Sequence, residues 1–186
     1  GKTPREVAEI VSSMLGKEIK GCTINQVLID EAINIEKEIY LSIASNRLTD
    51  KPVLMISSEG GVDIELFASQ HPEQIIRIDI NPLIGVQKYQ ARQAAVGISL
   101  PNQYWTQLES IILSLWQVYK NHDATLVEIN PLVITNEEKI IALDGKMVID
   151  DNALFRHTEF AKNFNPAETE RERDAREAGF TYIQLS

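Results

Sequence analysis

Apolar and polar residues alternate along the chain with two different periods, and these periods predict both helices and strands. Over residues 3–16 the apolar positions recur at helical spacing and line one face, namely Val7, Ile10, Val11 and Met14. Thr3 and Glu6 form a capping box at its start, where Pro4 occupies the first helical position. Further helices are predicted at about 62–69, 87–96, 101–120 and 166–179, the last capped by Asn165. Strands are predicted at 24–30, 36–45, 51–57, 75–80, 126–135 and 139–149, a mixed order typical of an α+β or mixed α/β fold.

Composition and charge narrow the functional class. The chain has 186 residues, of which 44% are hydrophobic and 24% charged, as in an ordinary globular protein. A formal net charge of −9 without a basic stripe argues against nucleic-acid binding, although a phosphate site needs only local positive charge and backbone N–H groups. The single cysteine, Cys22, excludes an internal disulfide and a cysteine-cluster metal site. No apolar run approaches the roughly 18 residues of a membrane helix, so we expect no membrane partner.

Two polar residues, Glu128 and Asn130, interrupt the apolar strand predicted at 126–135. They share one face of it because side chains alternate along a strand. If residues 136–138 form a three-residue hairpin loop, paired residues have numbers that add to 274. This register places Asn130 opposite Asp144 and Glu128 opposite Lys146, with Cβ atoms roughly 4.5–5.5 Å apart. An amide oxygen and a carboxylate at that distance can both reach one hard cation, such as the Mg²⁺ of a bound nucleotide.

The same spacing also allows ordinary structural roles. Asn130 precedes Pro131 and could simply end the strand, because a residue before proline is held extended. The Asp144-Gly145 pair could be a plain turn, and Glu128 with Lys146 a cross-strand ion pair. From spacing alone these alternatives stay open.

Three motifs together resemble the β subunit of succinyl-CoA synthetase. They are SSEGGVDIE at 57–65, LVEINPLVIT at 126–135 and IIALDGKMVIDDNALFR at 140–156, and the likeness extends over residues 1–186. The resemblance implies a partial ATP-grasp fold, of the α+β class, with a mixed or antiparallel sheet packed with helices. It divides the chain into a remnant of the small lobe (1–33), the large lobe with the hairpin (34–165) and a linker helix leading into a CoA-ligase domain (166–186).

The resemblance also implies a reaction and a partner. ATP or GTP phosphorylates a histidine on an α subunit, the phosphate passes to succinate, and CoA then gives succinyl-CoA in the cytoplasm, in an αβ or α2β2 complex. The residues matching Asn130 and Asp144 bind Mg²⁺ in this family, the same pair that the hairpin register selects. The residue matching Glu128 has the catalytic role, contacting the phosphohistidine loop of the α subunit, with Lys146 as the partner that keeps it ionised.

The segment VLIDEAINIEKEIYL matches the family's adenine and ribose segment. The family's glutamates there correspond to Asp30 and Glu38; Asp30 departs from the usual glutamate, and the adjacent Glu31 could take its place. Ile33 corresponds to a position that contacts the nucleotide through its backbone. In the SSEGG segment, Gly60 and Gly61 before a helix could form an anion site, an ordinary turn, or a contact near the active site.

Two alternatives to a succinyl-CoA synthetase part remain. One is a malate–CoA ligase or ATP-citrate-lyase-type relative, and the other is a non-catalytic module that only binds an α subunit. The family's ATP-binding lysine, glycine-rich loop and CoA domain are not matched in these residues, so we expect a piece of a longer protein without synthetase activity on its own. We expect His71 and His122 to be solvated, and we disfavour His157 as a phosphate acceptor.

Overall fold

A computed structural model describes residues 3–19 and 22–161, and six single positions after them: 171, 174, 175, 178, 180 and 182. The chain divides into two compact units, Gly1–Ala32 with Lys162–Ser186, and Ile33–Ala161. The predicted roles of 1–33, 34–165 and 166–186 stay predictions. The helix predicted at 166–179 falls mostly outside the described residues, and its cap Asn165 falls wholly outside them. Within the described part of the chain, no helix has both the length and the apolar character needed to cross a membrane.

The first unit contains one helix and a small strand pair. Helix α1 (Pro4–Met14) begins as predicted, with the Thr3 hydroxyl oxygen accepting the N–H of Glu6 at 3.3 Å. Strands β1 (Glu18–Ile19) and β2 (Cys22–Thr23) pair antiparallel. The strand predicted at 24–30 is wrong, because this stretch has no regular structure. A strand needs a paired neighbour and a covered face, and here Leu28 is 91% exposed.

The second unit is built on one antiparallel sheet. Its strands are β3 (Ile35–Asn46), β4 (Lys51–Ser57), β5 (Ile76–Asp79), β6 (Ala124–Thr135), β7 (Ile140–Ala142) and β8 (Gly145–Ile149). They follow the order β5-β4-β3-β6-β7, and β8 also pairs with β6. The predicted α+β class with an antiparallel sheet is confirmed.

Two long helices pack on one face of this sheet. They are α3 (Lys88–Gly97) and α4 (Trp105–Asn121); α2 (Ile64–Gln70) and the short α5 (Thr158–Ala161) are smaller. Short 3₁₀ helices occur at Pro72–Gln74, Asn102–Tyr104 and Asp151–Arg156. Buried side chains of both layers form a single core, including Ile39, Leu41, Ile43, Val127, Ile129, Ala94, Leu108 and Ile112. The helical spacing of apolar residues that predicted α4 therefore marks its buried face, which includes Leu108, Ile112 and Leu115.

The hairpin has the predicted register. Glu128 pairs with Lys146 and Ile134 with Ile140, and the N–H of Thr135 donates to the carbonyl of Lys139 at 2.9 Å. The single strand predicted at 139–149 is wrong, since it divides into β7 and β8 around residues 143–144. At the division the Asp144 carboxylate accepts the N–H of Gly145 at 2.9 Å, a local bond that competes with a continuous ladder.

Pro131 does not end the strand, which was one of the alternatives left open by the sequence, because β6 continues to Thr135 as predicted. Its pairing with β3 changes register instead: Leu41 faces Ile129, whereas Ile39 faces Leu132. Asn130 and Pro131 thus oppose the single residue Tyr40, which is a β-bulge. Proline has no N–H for the ladder, and a bulge accommodates that loss.

Candidate functional site

The candidate site lies on the face of the sheet that the two long helices leave free. Ile39 and Leu41 point into the helix-covered core, so the intervening Tyr40 points to the opposite face. Glu128, flanked on β6 by the core residues Val127 and Ile129, shares that face. The site therefore rests on the two central strands of the sheet.

Tyr40 holds the carboxylate of Glu128. The Tyr40 hydroxyl donates to Oε2 of Glu128 at 3.0 Å, and Tyr40 is only 2% exposed. Burial, with the Glu128 charge as a smaller cause, raises the pKa of Tyr40 well above its ordinary value. The phenol therefore stays protonated and remains a donor. The second oxygen of Glu128, Oε1, has no hydrogen-bond partner among the described residues.

The predicted ionic role of Lys146 is wrong. Lys146 lies directly across from Glu128 in the ladder, yet these two form no ion pair within 4 Å in the described structure. The lysine side chain is exposed, so solvent competes for its charge. The partner of Glu128 is instead Tyr40, which lies on β3, 88 residues earlier in the chain.

The side chain of Asn130 forms hydrogen bonds to the loop that follows β4, residues 58–63. Its Oδ1 accepts the N–H of Gly61 at 2.8 Å, and its Nδ2 donates to the carbonyl of Val62 at 3.0 Å. These two bonds fix which way the amide oxygen points. The side chain of Asn130 is thus oriented by the fold itself.

The two glycines of this loop allow it to lie against β3. A Cβ on Gly60 would stand 2.6–2.8 Å from the backbone of Ile39. Gly61 has φ +67°, and a Cβ there would collide with the carboxylate of Glu38. The N–H groups of Glu65 and Leu66, at the start of α2, already donate to the side chain of Asp63. Close packing accounts for the glycines, and no described contact favours an anion site there.

Asn130 and Asp144 fit a hard cation. The N–H of Asn130 donates to the carbonyl of Asp144 at 3.2 Å, which holds the two residues side by side across the hairpin. Oδ1 of Asn130 has one lone pair left, and Oδ2 of Asp144 has no hydrogen-bond partner in the described residues. Asp144 is exposed, so a solvated ion can reach it. Neutral and anionic oxygens of this kind are the ligands that Mg²⁺ takes. Their metal role stays a prediction.

The predicted nucleotide residues are divided between the two units. Glu38, half-buried beneath Gly61, belongs to the site. Ile33 opens the second unit and is half-buried, whereas Asp30 and Glu31 belong to the first unit and are exposed. Oδ1 of Asp30 accepts the backbone N–H of Glu31 at 2.8 Å, which leaves Oδ2 of Asp30 available to a ligand.

Sequence reasoning missed Tyr40 and misjudged His122. In sequence, Tyr40 is one more bulky residue in an apolar strand, and only the pairing of β3 with β6 shows that it lies diagonally across from Glu128. His122 is not solvated as expected, because its ring packs edge-on to Phe160 and its Nδ1 is buried. His71 is exposed, as predicted.

Comparisons with known proteins agree with this fold. Residues 1–134 match the family described as an ATP-grasp domain. The chain is 44% identical over 185 residues to the succinate–CoA ligase [ADP-forming] subunit beta of Herpetosiphon aurantiacus, covering 98% of this chain and 49% of that one. It is 44% identical over 188 residues to the same subunit from Aquifex aeolicus, covering 97% and 48%. The chain thus spans about half the length of the curated relatives it matches.

Among solved structures, the chain is similar to ATP citrate lyase from Methanothrix soehngenii, determined with citrate and coenzyme A. The TM-score is 0.63 at 22% identity, covering 93% of this chain and 41% of that one. At this identity the similarity concerns the fold alone.

Proposed function

The chain belongs to the ATP-grasp family, and we propose from that premise that it is the nucleotide-binding part of a succinate–CoA ligase β subunit. The reaction of the whole protein would use ATP or GTP, succinate and CoA, with a phosphohistidine on an α subunit as intermediate. One observation carries the proposal: the hairpin places Asn130 beside Asp144, next to a half-exposed carboxylate, Glu128. The similarity to ADP-forming β subunits extends over nearly all of this chain and about half of theirs, which supports the proposal and favours ATP.

Asn130 and Asp144 would hold a Mg²⁺ ion, which screens the negative charge of nucleotide phosphates. The amide oxygen of Asn130 is already aimed by its bonds to the 58–63 loop. Asp144 supplies the anionic oxygen, and its exposure leaves room for water and phosphate ligands. This residue pair therefore serves binding and orientation.

Glu128 would act on the partner's histidine. Its Oε2 is held by Tyr40, and its unpaired Oε1 is available to accept an imidazole N–H. A carboxylate at one ring nitrogen fixes the tautomer, which leaves the other nitrogen as the nucleophile. Tyr40 is thus a positioning residue for Glu128.

Asp30, Glu31, Ile33 and Glu38 would bind the nucleoside, the first two through carboxylates and Ile33 through its backbone. The carboxylate of Glu38 also lies close to Gly61, whose N–H donates to Asn130. A cytoplasmic location stays a prediction.

No specific observation favours the alternatives. The similarity to ATP citrate lyase concerns the fold, so it does not select citrate or malate over succinate. A module that only binds an α subunit has no use for an oxygen pair preset across a hairpin. The succinate–CoA ligase proposal accounts for that pair and for Glu128 together.

The decisive experiment is Mg²⁺-dependent nucleotide binding by the full-length β subunit in complex with its α subunit. Isothermal titration calorimetry with ATP would compare wild type, Asp144→Ala and Asp151→Ala, with excess Mg²⁺ and with a chelator. Asp151 is also an exposed aspartate and lies outside the site, so its variant makes the same charge change. We expect Asp144→Ala to lose at least about tenfold in affinity with Mg²⁺ present, about 1.4 kcal/mol, with Asp151→Ala unchanged. Equal affinity in all three proteins would refute the site.

A further inference from the structure

We propose that His122, His157 and Glu159 form a zinc-binding site at the carboxyl end of α4, separate from the nucleotide site. One ligand atom of each residue lies within 4.8 Å of the others. Nδ1 of His157 lies 3.7 Å from Oε1 of Glu159. Ligands about 2.0–2.1 Å from one tetrahedral ion lie roughly 3.4 Å apart, so modest side-chain movement closes the site. Glu159 is exposed and free to make that movement.

Asp123 prepares His157 for this role. Its Oδ2 lies 2.8 Å from Nε2 of His157, while its Oδ1 is paired with Arg156 at 3.0 Å. A carboxylate can only accept, so the neutral imidazole carries its proton on Nε2 and presents a lone pair on Nδ1. Metal-binding histidines are oriented by a carboxylate on their other nitrogen in this same way.

The second imidazole ligand of the proposed site is His122. Its Nδ1 is buried and has no hydrogen-bond partner among the described residues. The ring is held between His157, with ring centroids 5.9 Å apart, and Phe160, with centroids 5.6 Å apart. A buried polar atom without a partner is costly, and a metal ion would satisfy it.

The ligand set selects the metal. Two imidazole nitrogens and one carboxylate suit Zn²⁺, with water in the fourth position, whereas Mg²⁺ takes oxygen ligands. The ion would join His122, just after α4, to Glu159 within α5. We infer a structural role, in which zinc holds α5 against the end of α4.

The test is zinc affinity of the full chain, purified without a histidine tag. Competition with a chromophoric chelator would compare wild type, Glu159→Gln and His122→Phe, the latter keeping a ring against Phe160. The matched controls are Glu137→Gln and His71→Phe, at exposed residues outside the cluster.

We expect wild type and both controls to bind one zinc per chain. The two cluster variants should bind zinc at least about 100-fold more weakly, because losing a residue that only orients a metal ligand already weakens binding by about 10–100-fold. Millimolar Mg²⁺ should not displace the zinc. No zinc uptake by wild type, or equal affinity in Glu159→Gln and Glu137→Gln, would overturn the proposal. Because Glu159 is exposed, its variant keeps the test valid even if His122→Phe fails to fold.

Discussion

Replacing Gly60 with alanine should push the 58–63 loop off β3. The new Cβ would stand 2.6–2.8 Å from three backbone atoms of Ile39. Ile39 is fully buried in a central strand, so it cannot retreat, and the loop must move instead. Since ordinary van der Waals contact begins near 3.4 Å, the required movement is roughly 0.7 Å.

The cost has two parts. Overpacking of this kind costs about 1–3 kcal/mol. A shift of that size would also stretch the 2.8 Å bond from Gly61 to Asn130 to the limit of a hydrogen bond, which loses about 0.5–1.5 kcal/mol. We therefore expect Gly60→Ala to lower the free energy of unfolding by about 1.5–4.5 kcal/mol.

Urea denaturation followed by tryptophan fluorescence measures this loss. Both tryptophans, Trp105 and Trp116, lie in α4 and pack against the core of the same unit, so their signal reports on it. Gly145→Ala is the matched control, because the nearest atom to its Cβ would be the carbonyl oxygen of Glu128 at 3.8 Å. That variant should be neutral, or more stable by about 0.4–1 kcal/mol. Equal stability of Gly60→Ala and wild type, or equal loss in both variants, would refute the steric argument.

Two further predictions concern the sheet and its core. Burial raises the pKa of Tyr40 in the folded state above its value of about 10 in the unfolded chain. The free energy of unfolding that this difference contributes is intact below about pH 10 and decreases as the pH rises above it. Wild type should therefore lose up to about 1.4 kcal/mol more per pH unit above pH 10 than Tyr40→Phe in urea denaturation, and parallel pH profiles would contradict this. Leu108 of α4 is fully buried, so Leu108→Ala should cost about 2–5 kcal/mol, whereas Val118→Ala, at a 37% exposed position of the same helix, should cost much less.

Local features of this protein were accessible from sequence. The hairpin register followed from one assumption, a three-residue loop at 136–138, because every later pairing in a hairpin is then determined. Helix α4 followed from the spacing of its apolar residues, because the face that they form is covered by a sheet in the same unit. The strand predicted at 24–30 failed for the converse reason, since no strand in the described part of the chain pairs with it and Leu28 is 91% exposed.

Long-range features were not accessible. The Tyr40–Glu128 bond joins residues 88 positions apart, and the Asn130–Gly61 bond joins residues 69 apart. Nothing local to either partner encodes such a contact. The ionic role predicted for Lys146 was wrong for this reason: the hairpin offers a lysine across from Glu128, while the fold brings a buried phenol from another strand.

These long-range bonds order the side chain of Asn130 before any cation binds to the Asn130–Asp144 pair. A freely rotating amide would have to be ordered when a cation binds, at a cost of about 0.5–1.5 kcal/mol for a flexible side chain. In this protein the 58–63 loop orders Asn130 in advance, and Gly60 lets the loop come close enough to do so. A substitution at Gly60 should therefore weaken Mg²⁺–nucleotide binding without touching either proposed ligand. The glycines of the SSEGG segment contribute to the site through geometry, by aiming an oxygen that lies on another strand.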